Sequence, residues 1–126
     1  MIEFLNRTGS LVDRTVEHLI TNNADVALAQ ITLTEILQGI KDDREHAEAK
    51  ASLLAFPCLS LKGMESYLAA ADLYRACRKK GLTIRSTVDL LIGQTAVENN
   101  AQLLHVDRDF DAIASVCGLK IYPLLT

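Results

Sequence analysis

Apolar positions along the chain switch repeatedly between helical and strand-like spacing. Leu11, Val12, Val16, Leu19 and Ile20 recur at helical intervals, and Asn22-Asn23 can end that helix. Residues 25–32 (DVALAQIT) form a short apolar run that predicts a buried strand. A helix is expected from Thr34 to Ile40. A second, more exposed helix follows from Asp42 to Phe56, rich in Ala, Glu and Lys and broken by Pro57. Residues 58–61 (CLSL) predict a strand. The stretch from Ser66 to Lys80 predicts a long helix with Leu68, Ala69, Leu73 and Ala76 inward and Asp72 and Arg75 facing water. Gly81 is placed to stop it, and Arg78, Lys79 and Lys80 suit its last turn. Thr87 to Asn99 is unusually apolar for a helix and predicts burial on most sides. A strand over 102–106, a short helix over 108–115 and a strand over 119–124 complete the pattern.

Strands separated by helices imply a parallel sheet with helices on both faces. Ligands of such sheets sit beyond the carboxyl ends of the strands. At 126 residues, 49% of them hydrophobic and 23% charged, the chain is sized for a single ordered domain. A net charge of -3 does not advertise nucleic-acid binding, so any bound RNA requires a local basic patch. Cys58, Cys77 and Cys117 are odd in number, widely spaced and without a C-x-x-C pair, which fits free thiols in the cytoplasm. There is no apolar run long enough to span a membrane, and the first ten residues do not read as a secretion signal.

Acidic residues fall where such a sheet places its chemistry. Glu35 follows the strand ending near Thr32, and Asp107 and Asp109 follow the strand ending at Val106. Asp89 lies in the first turn of the apolar helix, among Val88, Leu90, Leu91 and Ile92. A buried acid needs a partner, and a divalent cation is one. Magnesium and manganese favour oxygen ligands. The same residues also fit helix capping: Thr32-x-x-Glu35 and Ser86-x-x-Asp89 match a capping box or a near variant, and Asp107 suits an N-cap. Spacing alone leaves both readings open.

Three segments carry a resemblance: ITLTEILQGI, IRSTVDLLIGQTAVENNAQLLHVDRDFDAIA and LKIYPL. They resemble PIN domains of VapC-type toxins, and IEFLNRTGS resembles the stretch just after that family's first strand. The likeness covers essentially the whole chain in the right order. It implies a PIN-like α/β fold and a metal-dependent endoribonuclease, inhibited by a small antitoxin, that uses Mg²⁺ or Mn²⁺. On the matching motif positions it implies metal ligation by Glu35, Asp89, Asp107 and Asp109, with Asp107 the closer ligand and Asp109 more remote. It assigns Glu35, Asp89 and Asp107 to catalysis. The family opens with a hydrophobic strand ending in Asp. Against that pattern the central first strand and its Asp are missing, Glu3 lies past the motif, and the single domain, residues 1–126, is expected to be N-terminally incomplete.

Positive charge is concentrated near these acids. Arg75, Arg78, Lys79, Lys80 and Arg85 are five of the thirteen Lys and Arg residues. Arg85 and Arg108 are the expected RNA contacts, and Arg85 equally suits an antitoxin contact or an ion pair with a site carboxylate. Arg78 to Lys80 equally suit a solvated helix end. His18 and His46 read as solvent-facing, and His105 as structural. No zinc spacing or Gly-rich phosphate loop is present. A competing expectation is a non-catalytic or degenerate module that works through antitoxin or self association. Its homodimer surface would come from the helix at 87–99 and the Ala-rich stretch at 69–76. A further alternative is another metal-dependent phosphohydrolase on a similar sheet.

Overall fold

A computed structural model describes residues 2–4, 26–104 and 108–121. The strands are β1 (Ile2–Phe4), β2 (Val26–Ala29), β3 (Cys58–Leu59), β4 (Gln102–Leu104) and β5 (Lys120–Ile121). The helices are α1 (Gln30–Gln38), α2 (Asp43–Leu53), α3 (Met64–Lys79), α4 (Thr87–Glu98) and α5 (Arg108–Ala114). The sheet runs β3-β2-β1-β4-β5, and every pairing is parallel. The alternating pattern read from the sequence is therefore realised as a parallel α/β fold.

One expectation is corrected. The central position of the sheet is filled, because Ile2–Phe4 pairs with β2 on one side and β4 on the other. Ile2 aligns with both Val26 and Gln102, and Glu3 with Ala27 and Leu103, so Glu3 lies within the central strand and not past it. A central strand must offer main-chain donors and acceptors on both edges. The tripeptide IEF does so while β2 and β4 would otherwise present open edges. The predicted helix over 11–21, His18, His105 and Asp107 lie outside the described residues.

Other boundaries shift for local reasons. All four residues of β2 are buried, as a strand covered on both faces requires. It ends at Ala29 because Gln30 is already helical, so α1 starts four residues earlier than the sequence predicts. α2 begins behind Asp42, whose side chain accepts from the Glu45 N–H at 2.9 Å. α3 starts after Gly63, which takes φ 136°, a region that favours glycine. Its buried face is Ser66, Ala70, Leu73 and Cys77, rotated from the expected one, and Leu68 is 61% exposed. The rotation follows from Ser66, whose hydroxyl is drawn inward by the Glu98 carboxylate and the Lys62 N–H.

α4 is the centre of the helical packing. It touches α1, α3, α5, β2 and β4 and buries Asp89, Leu90, Ile92, Gly93, Thr95 and Ala96. The Thr95 hydroxyl donates to the Leu91 carbonyl at 2.7 Å, so its burial leaves no open donor. Gly93 faces α5, where a methyl group would sit in ordinary contact with Ile113 Cγ2 at 3.4 Å. The helix is thus largely interior, and Val88, Leu91, Gln94 and Val97 stay partly exposed.

Candidate acidic site at the carboxyl edge of the sheet

A helix that connects parallel strands runs against them, so the helices leaving β2 and β4 begin at the carboxyl edge. Glu35 stands in the second turn of α1, directly after β2, and is half-buried. Asp109 stands in the first turn of α5, after β4, and is 7% exposed. Asp89 stands in the first turn of α4 and is 2% exposed. The chain turns from one side of β1 to the other between β3 and β4, so the ends of β1 and β4 flank the switch point of the sheet.

Hydrogen bonds fix the α4 and α5 starts to each other. The Arg85 N–H donates to Asp109 Oδ2 at 3.0 Å. One residue on, the Ser86 hydroxyl accepts from the Asp89 N–H at 3.4 Å and caps α4. The segment that carries Asp89 into place is therefore braced by Asp109. The capping reading of Ser86-x-x-Asp89 holds for the Ser86 hydroxyl and the Asp89 amide. A side-chain charge in the first turn also suits the helix dipole.

The α1 side is built differently. The capping reading of Thr32-x-x-Glu35 is corrected: α1 starts at Ala29 without a side-chain cap, and Thr32 lies inside the helix. Thr32 is 1% exposed and its hydroxyl has no hydrogen-bond partner among the described residues. The helix packs against α4, which carries Asp89. Among the described residues no three acidic, His or Cys side chains form a complete metal cage. The four expected ligands are thus not brought together in full: Asp89 and Asp109 sit on helix starts tied to each other, Glu35 on a helix packed against one of them, and Asp107 lies outside the described residues.

The basic residues expected beside the acids are close to them. A groove next to the α4 and α5 starts is lined by Arg85, Arg108, Asp109, Asp111, Thr83 and Ser115, among others. Arg85 and Arg108 are exposed. Asp111 and Thr83 were not singled out by the sequence reading, although the D-R-D-F-D run gave a signal for Asp111. The backbone donor at Arg85 has no sequence signature.

Away from this edge, the other end of α4 holds a second acid. Glu98 accepts from the Ser66 hydroxyl at 2.7 Å on one oxygen and from the Gln94 amide at 2.7 Å on the other. Burial pushes its carboxyl up, but hydrogen bonds from Gln94, Ser66 and the Lys62 backbone, with the Lys62 charge, prevail and hold it below the usual range. In the core, burial pushes the Cys77 thiol up; nearby Cys117 adds to this and Lys80 opposes it. All three cysteines are free.

This is a small parallel α/β domain with two buried carboxylates, Asp89 and Asp109, in the first turns of α4 and α5. Residues 3–116 match the PIN domain family, and the chain belongs to it. It is 34% identical over 120 residues to ribonuclease VapC11 of Mycobacterium tuberculosis, covering 94% of this chain and 90% of that protein. It is 32% identical over 107 residues to ribonuclease VapC51 of the same organism, covering 85% and 77%. Among solved structures, VapBC2 of Rickettsia felis, bound to a DNA fragment from their promoter, superimposes with a TM-score of 0.71 at 21% identity over 97% of this chain and 98% of that one. VapBC-5 of Mycobacterium tuberculosis gives 0.66 at 21% identity, covering 95% of each chain. Among the described residues no helix is long and apolar enough to cross a membrane.

Proposed function

We propose that this chain is a metal-dependent endoribonuclease of the VapC toxin type that cleaves RNA phosphodiester bonds and is held inactive by a cognate antitoxin. The observation that carries this reading is Asp89: an acid 2% exposed, in the first turn of an otherwise apolar helix, on a segment braced by Asp109. An acid placed so deep is costly unless a cation or donors compensate it. The relatives named as ribonucleases support the activity.

The donor set is oxygen-only, which fits Mg²⁺ or Mn²⁺ in preference to zinc. Glu35 and Asp89, on helices that begin at the carboxyl edge, would hold the ion together with Asp107. When bound, it supplies an activated water and neutralises charge on phosphate oxygens. Asp109 acts from further back, keeping the Arg85–Ser86 turn where Asp89 needs it. Arg85 and Arg108 receive the phosphates on either side of the scissile bond.

An antitoxin or a second copy of the chain needs an apolar landing surface. Leu54, Met64, Tyr67 and Leu68 are 55% to 79% exposed, at the end of α2 and the start of α3. They favour an association role as the second reading.

RNA cleavage with Mg²⁺ or Mn²⁺ tests the proposal, with EDTA and Asp89→Asn as controls. The expected result is cleavage abolished by EDTA and reduced on the order of 100-fold or more by the substitution. Cleavage that survives both would remove the metal assignment. Absence of cleavage with any RNA and either metal puts the association reading first.

A further inference from the structure

The exposed cations Arg75, Arg78 and Lys79 share one concavity at the end of α3. Among the described residues none of their side chains has a hydrogen-bond or carboxylate partner. Three like charges gathered in one hollow repel unless an anion sits among them. The chain as a whole carries -3, so this concentration is local and not a consequence of a basic protein.

The hollow is linked through the next residue to the groove that holds Arg85 and Arg108. Lys80 continues the same turn, and its ammonium donates to the Ser115 carbonyl at 3.4 Å. Ser115 lines the groove that contains Arg85, Arg108 and Asp109. A line of positive charge therefore runs from the α3 terminus, over Lys80, to the groove lined by Arg85 and Arg108. Helix-dipole complementation accounts for cations in the last turn. It does not account for Arg75, a full turn earlier, or for the continuity with the site groove.

We propose that Arg75, Arg78 and Lys79 form a distal phosphate-binding track for the single-stranded RNA substrate, engaged by the backbone of nucleotides that have passed the acidic site. The proposal rests on the ribonuclease reading above. The track contacts phosphates and ignores base identity, so it raises affinity for long substrates without choosing the cleavage sequence. An acidic protein partner would use the same charges, but continuity with the site favours the polymer that must enter it.

The test is fluorescence anisotropy of labelled single-stranded RNA in EDTA, which prevents metal-dependent cleavage, across a salt series. The wild-type chain is compared with the triple variant Arg75→Gln, Arg78→Gln, Lys79→Gln. Each phosphate contact on a single strand contributes about 0.7 to the slope of log K against log salt, so the triple variant should flatten that slope by roughly 2. A variant with Arg75→Lys and Arg78→Lys should restore it. An oligonucleotide of about four nucleotides, enough for the site alone, should bind wild type and triple variant alike. Thermal unfolding checks that the exposed substitutions leave the fold intact. If the triple variant melts earlier but keeps the wild-type slope, the cations only cap the helix and the inference is wrong. An unchanged slope with weakened antitoxin binding also overturns it, in favour of a protein partner. If wild type binds no RNA at all, the ribonuclease reading fails first and takes the track with it.

Discussion

The two ends of α4 each carry an acid, and the protein treats them in opposite ways. At the carboxyl terminus Glu98 gives both oxygens to internal donors, Ser66 and Gln94, and clasps α4 to the start of α3. The helix dipole disfavours a negative charge there, yet the donors keep the carboxyl ionised. At the amino terminus Asp89 contributes its backbone amide to the cap, while the carboxylate stands at the edge where a parallel sheet binds ligands. Burial alone does not separate a structural acid from a chemical one. Position relative to the strand ends does.

The sharpest way to break this comparison is to neutralise each acid in turn. Asp89→Asn should lower RNA cleavage on the order of 100-fold if Asp89 holds the ion as proposed. Glu98→Gln should leave cleavage within about twofold, since it changes a clasp remote from the carboxyl edge. Equal losses in both variants would mean that α4 acts as one unit and that its two ends have no separate roles.

Asp109 gives the next largest effect. Asp109→Ala leaves the Arg85 N–H without its acceptor, a cost of about 1–3 kcal/mol where the group is buried. Urea unfolding measures it. A clear loss of stability accompanied by partial loss of cleavage fits a brace. Full stability with complete loss of cleavage would make Asp109 a direct ligand. Ser86→Ala is milder, about 1 kcal/mol for a lost cap, and should reduce metal affinity at Asp89 in proportion to the loosening of the first turn.

How much of this was legible in the sequence follows from how local each signal is. The apolar run at Val26–Ala29 and the apolar helix at Thr87–Glu98 declared themselves because burial on both faces leaves no polar alternation. Asp89 stood out for the same reason, as a charge where the pattern allowed none. The face of α3 was misread because Ser66 is turned inward by Glu98, a partner 32 residues away. The Asp109 brace was invisible because its donor is a backbone amide, which every residue but proline has. The central strand was missed because three residues carry too short a period to register, and their place is set by β2 and β4 on either side. Glu35 remains the acid least determined by its surroundings: α1 begins without a side-chain cap and packs against α2, α4 and β2.

The smallest effect probes the clasp by pH. Glu98 is held below the ordinary carboxylate range in the folded chain, so its contribution to stability is present above the unfolded value and is lost as pH falls through the folded one. Glu98→Gln removes the charge at every pH. The difference in melting temperature between wild type and Glu98→Gln should therefore be largest near neutrality and should shrink as pH drops below about 4, the usual range for a glutamate. Other groups titrate in both proteins and cancel in the difference. The side chain is partly exposed, so solvent screening keeps the effect small. A constant gap across the range would mean that the clasp works through shape and hydrogen bonding independent of charge. A gap that grows in acid would reverse the sign argued here, and would place the stabilising form of Glu98 on the protonated side.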